Sequence, residues 1–185
     1  TATDDVVVYV NPLPTVNLGT DKSICKGETT SLSVTGSFTV LWSTGATTKT
    51  ISVSPSITTT YKITATDSKT CSNTDDIIVT VNPIPNANAG ADQTIYIGAS
   101  TTLTATGGGT YKWSTNATTA TINVSPTLTT TYSVTVTKNG CTATDAVVVV
   151  VQSFTLNAGA DQSICLGQSA TLTATGADSY KWNTN

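Results

Sequence analysis

Apolar and polar residues alternate along most of this chain, with a period of two. In the segment 130–137, Tyr132, Val134 and Val136 are separated by threonine and serine. Such alternation predicts β-strands with one buried face, and the clusters of Gly, Asn and Ser between them predict turns. Within one stretch, strands are expected at 101–106, 110–114, 119–124, 130–137 and 142–151, after a leading strand within 86–97.

The pattern repeats after about 71 residues, which indicates an array of similar domains. Val-Asn-Pro-Leu-Pro at 10–14 returns as Val-Asn-Pro-Ile-Pro at 81–85. We therefore expect the final strand of a preceding repeat at 1–12, whole repeats at 13–83 and 84–152, and the first half of another at 153–185. On this hypothesis the chain is a window on a longer protein, and its incomplete ends are completed by neighbouring chains or by further parts of the protein.

Aromatic residues occupy the same place in successive repeats. Trp42, Trp113 and Trp182 recur at one strand position, and Tyr61 and Tyr132 share another. Because these positions fall on the inward side of the alternation, we predict that all of them belong to the core. A sugar-stacking platform made by the tryptophans is the alternative.

Composition narrows the range of functions. The 185 residues include 43 threonines, only 10% are charged, and there is no His, Met or Arg. The commonest acid–base and metal-binding side chain and the bidentate reader of phosphate are therefore absent, which argues against an enzyme and against nucleic-acid binding. No apolar run has the length of a membrane-spanning helix, so no membrane insertion is expected. Threonine and valine favour strands, and an all-β fold is predicted.

Three segments carry a resemblance to a known group of proteins. They are residues 157–176 (Asn-Ala-Gly-Ala-Asp-Gln through Thr-Ala-Thr-Gly), residues 122–137 and the motif Asn-Gly-Cys-Thr-Ala-Thr-Asp at 139–145. Together they resemble the Ig-like and PKD-like tandem repeats of large secreted surface proteins of Bacteroidetes, including gliding-motility adhesins and other cargo of type IX secretion. The resemblance implies tandem immunoglobulin-like β-sandwiches of about 70 residues in a cell-surface setting.

The four cysteines suggest an oxidising, extracellular location. Cys25 opens the second strand of its repeat and Cys71 follows the penultimate one, so a Cys25–Cys71 disulfide within the domain is predicted. Tyr96 stands at the Cys25 position of the next repeat, which leaves Cys141 without that partner, and the partner of Cys165 would lie beyond residue 185. Cys141 and Cys165 are therefore expected to be unpaired; a bond between them, or between chains, is the alternative.

Aspartates recur in turns and before final strands, at Asp21, Asp92 and Asp161 and at Asp4, Asp75 and Asp145. Carboxylates gathered at a domain junction could hold Ca²⁺, which prefers oxygen ligands. Their spacing matches no calcium loop, and an Asp in a turn usually caps its own backbone. No cofactor is therefore expected, with Ca²⁺ as the minor alternative.

The final strand of each repeat is apolar on both faces, although a strand at a sheet edge should alternate. Either the leading strand and linker of the same domain cover the second face, or the strands pack between chains. The residues proposed for interchain packing are Val6, Val8, Ile77, Val79, Val147, Val149 and Val151.

These observations predict a non-catalytic, extracellular segment of a repetitive adhesin or fibre, which acts as a stalk and spacer beside neighbouring repeats of the same protein. One alternative is a subunit of a self-assembling filament of identical chains, packed through the apolar final strands. Another is a carbohydrate-binding accessory module of a secreted enzyme, in which Tyr9, Phe38 and Phe154 are the candidate contacts to surface glycans.

Overall fold

The computed structural model describes residues 3–183, and these residues form strands and turns without any helix. It follows that none of them lies in a helix able to cross a membrane. The strands are β1 (Lys22–Cys25), β2 (Thr30–Ser33), β3 (Thr39–Trp42), β4 (Thr50–Val53), β5 (Thr59–Thr66), β6 (Ser72–Asn82), β7 (Gln93–Tyr96), β8 (Thr101–Thr104), β9 (Thr110–Trp113), β10 (Thr121–Val124), β11 (Thr130–Lys138) and β12 (Cys141–Gln152). The strands predicted between residues 101 and 151 are thereby confirmed.

The chain divides into two compact units. Unit 1 comprises Thr1–Pro85 with Thr137–Ala143, and unit 2 comprises Asn86–Val136 with Thr144–Asn185. The tip of the β11–β12 hairpin therefore belongs to unit 1, while the rest of that hairpin belongs to unit 2. This division does not test the repeat boundaries expected from the sequence, which stay a prediction.

Each unit is a small immunoglobulin-like sandwich with a four-stranded and a two-stranded sheet. In unit 1 the sheets have the orders β1-β6-β5-β3 and β2-β4, and in unit 2 the orders β7-β12-β11-β9 and β10-β8. The first strand pairs with the last in parallel, with Lys22 opposite Val79 and Cys25 opposite Asn82. The other pairs in unit 1 are antiparallel. The all-β, tandem immunoglobulin-like fold expected from the sequence is confirmed.

The doubly apolar final strands lie inside their sheets, and the expectation that they form sheet edges is wrong. β6 has β1 on one side and β5 on the other, and β12 lies between β7 and β11. Alternate residues of β6 and β12 point into the core, namely Ile77, Val79, Val147 and Val149, each at most 1% exposed. These four side chains are buried within their own domains and leave no surface for another chain, so the proposal that they pack between chains is wrong.

The cores are built from the inward positions of both sheets. In unit 1, Trp42 from one sheet and Leu32 from the other belong to a single buried cluster, and Trp113 and Leu103 do the same in unit 2. Val151 is partly buried and packs against the second cluster, so it too contributes to the core of its own domain. Threonine and serine occupy most outward positions, where a β-branched or hydroxyl side chain suits an exposed strand.

The two ends of the described chain are less regular. No strand is found in 3–12, and Val6 and Val8 are largely exposed. In 153–183 the regular pairing consists of one antiparallel bridge between Asn157 and Thr175. The assignment of these ends as parts of further repeats stays a prediction.

Candidate functional site

A disulfide joins Cys25, the last residue of β1, to Cys141, the first residue of β12. The S–S distance is 2.01 Å and the Cα atoms are 5.6 Å apart, within the normal range for a disulfide. The bond closes a sequence separation of 116 residues. Both cysteines belong to unit 1, because the hairpin tip that carries Cys141 is part of that unit.

The predicted Cys25–Cys71 disulfide is wrong, and the direction of pairing explains why. Cys25 lies opposite Asn82, at the end of β6, whereas Cys71 directly precedes the beginning of β6. An 11-residue strand at about 3.3 Å per residue separates these ends by roughly 35 Å. The free thiols are therefore Cys71, which is partly buried, and Cys165, which is exposed, while Cys141, expected to be unpaired, is bonded.

Asn82 organises the surroundings of the disulfide. Its Nδ2 atom donates to Ser23 Oγ at 2.7 Å and to the Asn139 carbonyl at 3.3 Å. Its own carbonyl accepts from the Lys26 amide at 2.9 Å. One amide side chain thus holds the end of β1 and the hairpin tip together, next to the sulfur atoms.

The turn after Cys25 is also fixed. The Glu28 carboxylate accepts from the Cys25 amide at 2.8 Å, and the Glu28 amide donates to the Cys25 carbonyl at 2.9 Å. Gly27 has φ of 91° in this turn, a conformation that suits glycine. The position of the thiol is therefore set by local backbone contacts as well as by the sheet.

A different contact is found at the matching place in unit 2. Tyr96, in the position of Cys25, lies edge-on to Phe154 with ring centroids 6.2 Å apart and planes at 78°. Such edge-to-face pairs contribute about 0.5–1.5 kcal/mol beyond area burial. The Cys25 position thus makes a covalent contact in one unit and an aromatic contact in the other.

The recurring aspartates anchor the leading segment of each unit to its final strand. In unit 1, Asp21 Oδ1 accepts from the Ile78 amide at 2.9 Å, and Asp75 Oδ2 accepts from the Leu18 amide at 2.7 Å. We call this reciprocal pair a carboxylate clamp. Each carboxylate accepts from the backbone of a segment 57 residues away along the chain, and not from the backbone of its own turn as the sequence suggested.

Unit 2 repeats the clamp. Asp92 Oδ1 accepts from the Val148 amide and Asp145 Oδ2 from the Ala89 amide, both at 2.8 Å. The amides of Ala89 and Ala146 stabilise the charged carboxylate and hold the pKa of Asp145 below its ordinary value. Among residues 3–183, no three carboxylates or thiols come together in a way that could hold a metal ion.

Two of the three recurring tryptophans are core residues. Trp42 and Trp113 are almost fully buried, and their indole N–H groups donate to the carbonyls of Thr48 at 2.8 Å and Thr119 at 3.0 Å. Trp182 is 43% exposed, so its placement in a core is wrong for this structure. The reason is that the surrounding residues form an isolated bridge and no paired sheets that could cover the indole.

The recurring tyrosines also contribute to the cores. Tyr61 is buried in unit 1 and Tyr132 packs, partly buried, against the core of unit 2. Of the aromatics considered for glycan contact, Phe38 packs against the first core under the Lys49 ammonium group, whereas Tyr9 and Phe154 are exposed.

An apolar concavity of about 310 Å³ lies in the C-terminal part of unit 2. Its lining includes Phe154, Leu156, Tyr180 and Trp182, and no carboxylate or thiol is among the lining residues. Tyr180 and Trp182 match Tyr111 and Trp113 in the repeat register, and Trp113 belongs to the second core while Tyr111 packs against it, so the concavity continues the apolar pattern of the repeats.

Comparison with solved structures finds immunoglobulin-domain proteins. An I-band fragment of titin aligns at 10% identity with a TM-score of 0.47, over 78% of this chain and 68% of that one. The insect immune protein hemolin aligns at 14% identity with a TM-score of 0.40, over 81% of this chain and 49% of its own. The N-terminal two-domain immunoglobulin module of the Drosophila receptor protein tyrosine phosphatase DLAR aligns at 11% identity with a TM-score of 0.32, over 76% and 100%.

No family model matches the chain, and no curated protein matches it. At the identities and TM-scores found, the assignment of an immunoglobulin-like fold rests on the strand order and the two cores of the chain itself.

Proposed function

We propose that this chain is a non-catalytic, load-bearing segment of an extracellular repeat protein, which serves as a stalk and spacer. The observation that carries the proposal is the Cys25–Cys141 bond, which joins the end of β1 to the beginning of β12 across 116 residues of chain. The side chains that recur between repeats are engaged in holding the fold, as the tryptophans and the carboxylate clamps illustrate.

The parallel pairing of first and last strands suits a protein under tension. When the Cys25–Cys141 bond is reduced, force along the chain enters unit 1 at the beginning of β1 and leaves it at the end of β6. Because β1 and β6 run in the same direction over Lys22–Cys25 and Val79–Asn82, these two points lie at opposite ends of the shared ladder. The inter-strand hydrogen bonds are then loaded together in shear. β7 and β12 repeat the arrangement in unit 2.

The disulfide adds a covalent route for the same force. Load that reaches Cys25 passes through the sulfur atoms to Cys141 and continues along β12. All of β2 to β11 lies inside the closed loop of the chain and carries no load as long as the bond is intact. Oxidation therefore limits how far the segment can extend.

Single-molecule extension of the chain, held by its two ends, tests this proposal. Fully extended chain spans about 3.4 Å per residue, so the 116-residue separation hides about 400 Å of contour length. We expect this length to be released with reductant and withheld without it. A Cys71→Ser variant, which leaves the disulfide intact, should behave as the parent does.

Two results would count against a load-bearing role. One is release of the full contour length without reductant. The other is gradual extension at low force in reductant, with no cooperative step, because ladders loaded in shear should break as units.

The disulfide also supports the proposed location. Disulfides persist in oxidising compartments, and a secreted or cell-surface protein provides such a setting. The resemblance to tandem repeats of secreted Bacteroidetes surface proteins points to the same location, and a gliding-motility adhesin or other type IX secretion cargo is the specific form of this proposal.

A further inference from the structure

The two cysteines of the Cys25–Cys141 bond differ in their access to solvent. Cys141, the first residue of β12, is only 1% exposed, whereas Cys25, at the end of β1, is partly exposed. Both belong to unit 1. A molecule in solution therefore reaches the bond from the side of Cys25 and not from the side of Cys141.

This difference decides where a thiol can open the bond. In thiol–disulfide exchange a thiolate attacks one sulfur atom, in line with the S–S bond, and the other sulfur atom leaves. An in-line attack on Cys141 would have to pass through the residues that bury it. An attack on Cys25 comes from the partly exposed side. Access therefore selects Cys25 as the sulfur that is attacked and Cys141 as the sulfur that leaves.

The leaving sulfur enters surroundings that do not suit a negative charge. The Sγ atom of Cys141 lies 4.0 Å from the carbonyl oxygen of Asn82, and a carbonyl oxygen does not stabilise a thiolate. Burial adds to this cost, because a charge taken out of water without a partner is strongly disfavoured. The bond should therefore open slowly, and Cys141 should readily return to Cys25.

Backbone contacts keep the two cysteines within reach of each other when the bond is open. Glu28 engages both the amide and the carbonyl of Cys25, at 2.8 and 2.9 Å. On the other side, Asn82 Nδ2 donates to the carbonyl of Asn139, two residues before Cys141. None of these contacts involves a sulfur atom, so opening the bond removes none of them. They favour closure by Cys141 over reaction with a second molecule.

We propose that this disulfide is a thiol-exchange site with fixed roles, in which Cys25 takes up a small thiol and Cys141 resolves the adduct. In the opening step the small thiolate bonds to Cys25 Sγ, the Cys25–Cys141 bond breaks, and Cys141 leaves as a thiolate that takes up a proton. In the closing step Cys141 attacks Cys25 Sγ and releases the small thiol, with no net oxidation or reduction. Full reduction requires a second small thiol, which attacks the adduct and leaves as the small disulfide.

Exchange at Cys25 needs no load on the chain, so it goes beyond the stalk role and does not depend on it. Its consequence for a stalk is a single point of entry, because a reductant can open the closed loop of 116 residues only through Cys25.

Mapping of the adduct on the oxidised, folded chain tests the two roles. The chain carries Cys71→Ser and Cys165→Ser, which removes the free thiols, and the probe is 2-mercaptoethanol, an uncharged thiol. After brief exposure and an acid quench, peptide mass spectrometry should find the adduct on Cys25 at least about tenfold more often than on Cys141. In urea, where both sulfur atoms are accessible, the two adducts should be roughly equal. Equal adducts on the folded chain, an excess on Cys141, no exchange without urea, or the same preference in urea would each overturn the proposal.

The resolving role is tested with the disulfide form of 2-mercaptoethanol on reduced chains in the same background. Cys141→Ser should accumulate a stable adduct on Cys25, whereas Cys25→Ser should react at Cys141 at least about tenfold more slowly, because buried thiols are inert. The reduced chain with both cysteines should re-form the disulfide without accumulating an adduct. Fluorescence of the buried Trp42 shows whether unit 1 is folded in each variant. Equal rates in two folded variants would overturn the roles, and if either variant unfolds, the mapping on the oxidised chain decides.

Discussion

Breaking the Cys25–Cys141 bond should cost a large part of the stability of unit 1. In the chain-entropy estimate, closing a loop of 116 residues removes about 5 kcal/mol of unfolded-state entropy at 25 °C. If unit 2 stays folded while unit 1 unfolds, the flexible part of the loop shrinks to roughly 60 residues, and the estimate falls only to about 4 kcal/mol. Cys25→Ser should therefore lower the free energy of unfolding by about 4–5 kcal/mol in either case.

Urea denaturation followed by tryptophan fluorescence measures this loss, since Trp42 and Trp113 are buried in the two cores. Cys71→Ser is the matched control, because it removes a thiol without touching the disulfide, and it should change stability by less than about 0.5 kcal/mol. Equal stabilities for the two variants would refute the reasoning. A large loss in Cys71→Ser instead would show that Cys71 is the partner of Cys25.

Two further substitutions test the core and the carboxylate clamp. Ile63→Ala should lower the free energy of unfolding in urea by about 2–5 kcal/mol, because this side chain is completely buried. Ile57→Ala, at an exposed site, should lower it by less than about 0.5 kcal/mol. Similar losses in the two variants would contradict the assigned core. The lowered pKa of Asp145 means that its contribution to stability is fully present above the unfolded value of about 3.9 and is lost as pH falls through the folded pKa. Asp145→Asn should therefore weaken the acid dependence of unfolding monitored by circular dichroism, whereas Asp5→Asn should not. An unchanged pH profile in Asp145→Asn would contradict the stabilising role of the carboxylate clamp.

The strands and most of the core could be predicted because alternation is a local signal. Tyr132, Val134 and Val136 indicate a strand with one buried face wherever the rest of the chain lies. The recurrence of Trp42 and Trp113 in successive repeats likewise points to one packing position. Trp182 has the same local sequence and is exposed, because burial also needs the opposing sheet.

The disulfide could not be predicted in the same way, because it depends on which strands pair and in which direction. β1 has four residues, too few to reveal its partner, and an antiparallel neighbour would have brought its end close to Cys71. Parallel pairing with β6 moves Cys25 to the far end, where the tip of the β11–β12 hairpin supplies Cys141. The apolar character of β6 was the available signal, since a strand that is apolar on both faces is typical of the interior of a sheet.

Disulfide mapping by mass spectrometry, on chain alkylated before digestion, tests the central claim most directly. Cleavage after lysine places Cys25 in the peptide 23–26 and Cys71 in 70–112, but leaves Cys141 and Cys165 together in 139–181. A second cleavage before Asp145 and Asp161 separates the last two. The structure predicts that 23–26 is linked to the fragment that contains Cys141, with Cys71 and Cys165 alkylated. A link between 23–26 and 70–112 would contradict the parallel pairing and the load path that depends on it.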